Sequence, residues 1–235
     1  VGDDAYRAYG QTNPVFTAVV TGVMNNDDIT PKFSTEATNT TPPGWYDITL
    51  NANDPKGKLG NYDVTTTSGT LYITNAALVG TVASQTRVYG ATNAPFTVEY
   101  SGFAEGEGTN LLMDTIAYSC LDSNGVAVDT NTTVGQYAIT VSNVQTARYY
   151  TVSYVSGSLM VTQAVLNIMA TNVARVYGTD NPSFGVVYSG FVNGETEAVL
   201  GGSLALNTVA ATNSPVGTYD IVPSGLTATN YSLVY

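Results

Sequence analysis

Three copies of one short motif set the frame of this chain. Arg7-Ala8-Tyr9-Gly10, Arg87-Val88-Tyr89-Gly90 and Arg175-Val176-Tyr177-Gly178 are spaced 80 and 88 residues apart. Each is followed by landmarks at matching offsets. Seven residues after the motif Tyr stands Phe16, Phe96 or Phe184, and thirteen after it Gly22, Gly102 or Gly190. Gly44-Trp45-Tyr46-Asp47-Ile48 answers to Gly135-Gln136-Tyr137-Ala138-Ile139 and Gly217-Thr218-Tyr219-Asp220-Ile221, and Tyr62, Tyr150 and Tyr231 continue the series. Self-similarity at this period marks a tandem array. A catalytic constellation has to be placed only once, whereas a domain copied head to tail builds length or a repeated surface.

The repeats divide the chain into units 1–75, 76–163 and 164–235. Gly69-Thr70-Leu71-Tyr72-Ile73-Thr74 and Gly157-Ser158-Leu159-Met160-Val161-Thr162 read as a closing strand that leads through Ala76 or Ala164 into the next unit. The first unit is expected to lack its opening strand and the third its closing strand, as in a segment of a longer protein. Each unit lies near the lower end of domain size, with room for one small core.

Thr, Val, Tyr and Gly are abundant and only 11% of residues are charged, which favours half-buried strands over helices. The expected fold is all-β: three tandem small β domains in a rod. Each is an immunoglobulin-like sandwich or a β-grasp-like sheet, with at most one short helix per unit. The helix candidate is Gly194–Leu200. Asp122-Ser123-Asn124-Gly125 reads as a hairpin turn with Asn and Gly both at positive φ. No apolar run approaches the length of a membrane span.

Spacing separates scaffold from variable surface. The interval from the Gly22, Gly102 or Gly190 landmark to the Gly-x-Tyr landmark is 22, 33 and 27 residues, while the opening interval never changes. Specificity that differs between units belongs in the variable stretch.

Charge and composition exclude several functions. A net charge of −11 with seven cations repels a phosphate backbone, so nucleic acid is not an expected partner. The chain has no histidine, which removes Ser-His and Cys-His nucleophilic systems and histidine-ligated zinc. Cys120 is the only cysteine and reads as a small buried hydrophobe. Carboxylate pairs such as Glu105 and Glu107 sit where capping explains them, so the chain is expected not to be an enzyme. No metal-binding residues are assigned. Calcium is the one cofactor left open, on the acidic turns Asn25–Asp28 and Asp122–Asn124, although neither has EF-hand spacing.

Three sets of residues stand out as sites. Arg7, Arg87 and Arg175 each have an acid twenty residues later, at Asp27, Glu107 and Glu195, and read as structural pairs in which a guanidinium fork anchors a loop. Tyr9, Phe16, Tyr89, Phe96, Tyr177 and Phe184 read as a repeated aromatic core. Trp45 has no aromatic counterpart, since Gln136 and Thr218 take its place, and is the candidate glycan contact.

Taken together, Arg-x-Tyr-Gly, Asn-Pro-x-Phe, Tyr-Ser-Gly-Phe with an acid shortly after, Gly-x-Tyr-x-Ile, Asn-Tyr and Gly-x-Leu-x-Val-Thr resemble the MBG repeat domain, Tyr-Gly type, over essentially the whole chain. Thr21-Gly22-Val23 in the first unit and Arg148-Tyr149-Tyr150 in the second depart from the pattern. The resemblance implies a non-enzymatic segment of a secreted or cell-surface bacterial protein, a stalk or spacer in adhesion that contacts neighbouring repeats of its own chain. The alternative is an adhesive module that binds a glycan or a host protein through the variable loops.

Overall fold

A computed structural model describes residues 1–235. It contains strands and three single-turn 3-10 segments, Leu59–Asn61, Thr109–Leu111 and Glu197–Val199, and no α-helix. The expected helix over Gly194–Leu200 is reduced to the last of these turns, with the Thr196 side chain accepting from Ala198 N. The chain is all-β, as its composition implied, and none of its helical turns is long and apolar enough to cross a membrane.

Packing follows a frame offset from the sequence repeats. One compact unit comprises Val1–Thr81, Val98–Ala117 and Val141–Val155; the other comprises Val82–Thr97, Tyr118–Thr140 and Ser156–Tyr235. The first holds a four-stranded sheet in the order Ala5–Ala8, Gly69–Thr74, Gly44–Asn53, Thr30–Ser34. It also holds a three-stranded sheet in the order Tyr150–Val155, Ala76–Val82, Val98–Ser101. The second unit repeats the plan. Gln85–Val88, Gly157–Thr162, Gly135–Val141 and Tyr118–Cys120 form its larger sheet, and Val186–Ser189, Ala164–Ala170 and Tyr231–Val234 its smaller one. Both sheet types are mixed. The Arg strand runs parallel to the closing strand, which pairs antiparallel with the Gly-x-Tyr strand.

The spine of each unit is one nearly continuous ribbon. A single residue, Asn75 or Gln163, separates the closing strand from the opening strand of the next repeat. Buried side chains fall on alternate positions of each strand, but Thr74 and Asn75 are both exposed, so the alternation slips by one residue. A strand presents successive side chains to opposite faces; the slip allows one ribbon to bury Leu71 and Ile73 in one sheet and Ala76 and Leu78 in the next. Those four belong to one core cluster with Tyr9, Ile48, Ala147 and Tyr150. In the other unit Leu159, Val161, Leu166 and Ile168 are buried in the same way. Each buried Leu, Ile or Val among them stabilises by about 1.5–3 kcal/mol.

The Asp122–Gly125 turn forms, with Asp122 N donating to Val126 O at 2.8 Å. Only Gly125 has positive φ (78°) there, not Asn124. The Asp122 carboxylate explains this, because its Oδ1 accepts from Asn124 N and Val126 N, both at 2.9 Å, and so stabilises the turn without an Asn in the left-handed region. Cys120 is buried and free, and burial pushes its thiol pKa up.

Candidate functional site: the joint between repeats

The Arg of each motif is a brace that uses no carboxylate. Arg7 Nε donates to Asn13 Oδ1 at 2.7 Å, Nη1 to Ala8 O at 3.2 Å, and Nη2 to Thr38 O. Asn13 Nδ2 continues to Ala37 O at 2.7 Å. Arg87 does the same with Asn93 Oδ1 (2.6 Å), Val88 O (3.3 Å) and Asp129 O. Arg175 binds Asn181 Oδ1 (2.7 Å), Thr179 O (2.9 Å) and Ala211 O. Arg7 and Arg87 are buried, and desolvation lowers the pKa of Arg7. A buried guanidinium stays charged at the cost of desolvation, and three carbonyl or amide oxygens offset that cost.

The Arg–acid pairs expected from the twenty-residue spacing therefore do not form. The ion pair of the chain is Lys56–Asp28, at 3.9 Å between two well-exposed side chains. Asp27, Glu107 and Glu195 share a different role, as acceptors for tyrosine hydroxyls. The constant spacing reflects two partners in one scaffold, each fixed to something else. The more telling offset was six residues, from Arg7 to Asn13, Arg87 to Asn93 and Arg175 to Asn181.

Glu107 closes the joint between the first and second repeats. Tyr9 OH donates to its Oε1 at 2.6 Å and Tyr150 OH to its Oε2. The rings of Tyr9 and Tyr150 meet edge to face, 5.7 Å apart at 88°, and Phe103 meets Tyr150 at 5.5 Å and 74°. Tyr150 OH also accepts from Ala104 N at 2.9 Å. The second joint reproduces this. Tyr89 OH donates to Glu195 Oε1 at 2.7 Å, Tyr231 OH donates to Oε2, and Val192 N donates to Tyr231 OH at 3.1 Å. Its rings lie 5.7 Å apart at 82°, with Phe191 at 5.5 Å from Tyr231.

Charge-assisted hydrogen bonds of this kind are the strong ones, and the phenol pKa values respond. The bond to Glu107, with burial second, pushes Tyr9 up to about 12. Burial, with the Glu195 bond second, pushes Tyr231 up to about 12. Burial is also the leading cause for the raised Tyr89 and Tyr150. The chemistry available is that of a clasp. One carboxylate accepts from two phenols, one of them on the preceding repeat, and no group of three or more His, Cys, Asp or Glu side chains is placed to hold a metal ion.

The Gly of the motif belongs to the same joint. Gly10 and Gly90 have φ of +81° and +85°, and a Cβ there would stand 2.7 Å from Ala104 Cβ and 2.5 Å from Val192 Cγ2. Tyr-Gly thus reads as one device, in which the ring reaches the next repeat and the bare backbone lets it approach.

The aromatic set divides. Tyr9 and Tyr89 are 6% and 3% exposed, but Tyr177 is 63% exposed and does not join the core expected for it. Its strand segment belongs to no sheet, so no partner strand covers the ring. Phe16 and Phe96 are half-buried against Phe33 and Tyr118, at 6.1 and 5.9 Å, and Phe184 lines a cleft in the third repeat. Trp45 is 81% exposed. It lies beside Tyr72 at 6.0 Å, which stacks on Tyr6 at 4.8 Å. Tyr150 and Tyr231, the second half of each clasp, were visible in sequence only as members of the repeat series.

An all-β array whose Tyr-Gly motif locks one repeat to the next defines a class of tandem structural modules. The chain belongs to the MBG domain family, YGX type, which matches residues 1–72, 78–160 and 166–235. No curated protein and no solved structure matches it.

Proposed function

We propose that this chain is a non-enzymatic spacer in a secreted or cell-surface bacterial protein, a stalk that carries adhesive parts away from their anchor. The observation that supports this reading is the joint, built twice from the same residues with one residue between strands of successive repeats. A short connection whose neighbours share a core limits bending. Small-angle scattering with and without calcium tests the proposal. A stalk gives a radius of gyration well above the roughly 17–18 Å of a compact globule of this length, unchanged by calcium. A value near the globule, or one that depends on calcium, removes the stiff-stalk reading.

A second reading, glycan adhesion, is favoured by one observation. Tyr6, Tyr72 and Trp45 lie in register across three strands of the first repeat, and the second repeat has Thr86, Met160 and Gln136 at those positions. Exposed rings on a sheet suit the apolar face of a neutral sugar. Retention on immobilised neutral glycans that is lost in Trp45→Ala supports adhesion by the chain itself, and equal retention of both removes it.

A further inference from the structure

The strands nearest the two ends of each repeat run parallel to one another. In the second repeat Ala76–Val82 pairs with Tyr150–Val155 in one compact unit, and Gln85–Val88 pairs with Gly157–Thr162 in the other. Ala76 faces Tyr150 and Gln85 faces Leu159, the same offset of 74 residues in both. The first repeat pairs Ala5–Ala8 with Gly69–Thr74, and the third pairs Ala164–Ala170 with Tyr231–Val234, again in parallel.

Parallel pairing decides how tension is met. A pull along the chain draws the earlier strand toward its own N-terminus and the later strand toward its own C-terminus. For parallel partners these directions are opposed along one axis, so the strands are sheared and the hydrogen bonds of the ladder are strained together. In an antiparallel hairpin the two pulled ends lie side by side, and the bonds open one after another. A bond with a net contribution of about 0.5–1.5 kcal/mol resists little when met alone, whereas a row broken in one step raises the barrier that governs forced unfolding.

The ladders also run past the strand ends. Tyr9 N donates to Thr74 O at 2.9 Å and Tyr89 N to Thr162 O at 2.8 Å, while Ala76 N donates to Tyr149 O at 2.9 Å and Ala164 N to Asn230 O at 3.0 Å. Leu71, Ile73, Leu78, Val82, Leu159 and Val161 bury one face of the paired strands. Tension then passes from Thr74 through Asn75 to Ala76, and from Thr162 through Gln163 to Ala164, with a single residue between one ladder and the next. The variable stretch of the second repeat, Gly102 to Gly135, lies between its paired strands in sequence and off this path, so its length can change without altering the ladder.

We propose that each repeat is a shear clamp and that the array holds against tension along the chain. Its biological use rests on the stalk reading given above; the clamp rests on strand register. The test is single-molecule force spectroscopy in two pulling directions on the whole chain carrying Cys120→Ala, so that introduced cysteines alone take the handles. Asn75, Thr151 and Gln163 are exposed. Handles on Asn75→Cys and Gln163→Cys shear the second repeat, and handles on Asn75→Cys and Thr151→Cys pull the same strands apart from one end. Both release on the order of 250 Å of chain at roughly 3.3–3.6 Å per residue, so the same opening is compared. The expected rupture force is at least twofold higher in the shearing direction at equal pulling speed. The unsubstituted chain pulled from its termini should give a rupture of that length at the shearing force. Equal forces in the two directions, a higher force in the peeling direction, or a terminal pull that opens this length at the peeling force overturns the proposal. Clamp and stalk fail separately. An extended particle by scattering with equal rupture forces keeps the stalk and loses the clamp, and a compact particle with the twofold difference keeps the clamp and loses the stalk.

Discussion

Tyr89 and Tyr177 occupy the same place in successive repeats and lie in the same compact unit, yet one is 3% exposed and the other 63%. Local structure does not separate them. Each follows an Arg bound to the Asn six residues on, and each precedes a Gly at φ +85°. What differs is non-local. Tyr89 has a closing strand beside it, with Tyr89 N donating to Thr162 O at 2.8 Å, and a glutamate from the next repeat above it. The Arg brace and the turn therefore form without the joint, and burial of the ring requires it. The motif is a plug that becomes core when its socket is present.

The largest effect expected from this contrast lies at the two glycines. Gly90→Ala places a methyl 2.5 Å from Val192 Cγ2 and 2.6 Å from its Cβ. A non-Gly residue in the left-handed region costs about 1–2 kcal/mol, and overpacking against a branched side chain adds about 1–3 kcal/mol. Gly178→Ala meets nothing within 4 Å, so only the first cost remains. Thermal or urea unfolding of the two variants should rank Gly90→Ala well below Gly178→Ala. Equal destabilisation would mean that Gly serves the turn alone and that the close approach of repeats contributes nothing.

Much of this architecture was legible in the sequence, and the reasons differ by element. Repeat landmarks, strand content and the ribbon through Ala76 and Ala164 rest on periodicity, which a chain carries locally. The partners of Arg and Glu were misread because a constant offset between two residues reports a shared scaffold as readily as a contact. Arg7 and Asp27 keep their spacing while Arg7 binds Asn13 and Asp27 accepts from Tyr62 OH at 2.7 Å. The clasp escaped for a related reason. Its members come from different repeats, Tyr9 and Glu107 standing 98 positions apart in sequence, and comparison between repeats aligns Tyr9 with Tyr89 rather than with the acid it meets. Tyr177 was assigned to the core because its neighbours in sequence are those of Tyr9, whereas burial depends on a strand and an acid that sequence identity at the motif does not supply.

A smaller effect sharpens the same comparison through pH. Tyr9 titrates near 12 in the folded chain against about 10 for an unfolded tyrosine. A folded pKa raised above the unfolded value means that the native state keeps its proton where the unfolded state has lost it. The contribution of Tyr9 is therefore fully present below pH 10 and is lost as pH rises from about 10 to 12. Tyr9→Phe removes the hydroxyl bond to Glu107, at a cost of about 1.5–3 kcal/mol near neutral pH for a hydrogen bond to a charged group, and should flatten this part of the alkaline limb. Tyr177→Phe should leave both the neutral stability and the limb unchanged, because its hydroxyl is held by no carboxylate. Urea midpoints at pH 7, 10 and 11.5 for the three proteins measure both terms. If Tyr177→Phe lost as much as Tyr9→Phe at pH 7, the third Tyr would already be clasped in solution; if Tyr9→Phe kept the full alkaline slope, that slope would belong to Tyr231 and the second joint.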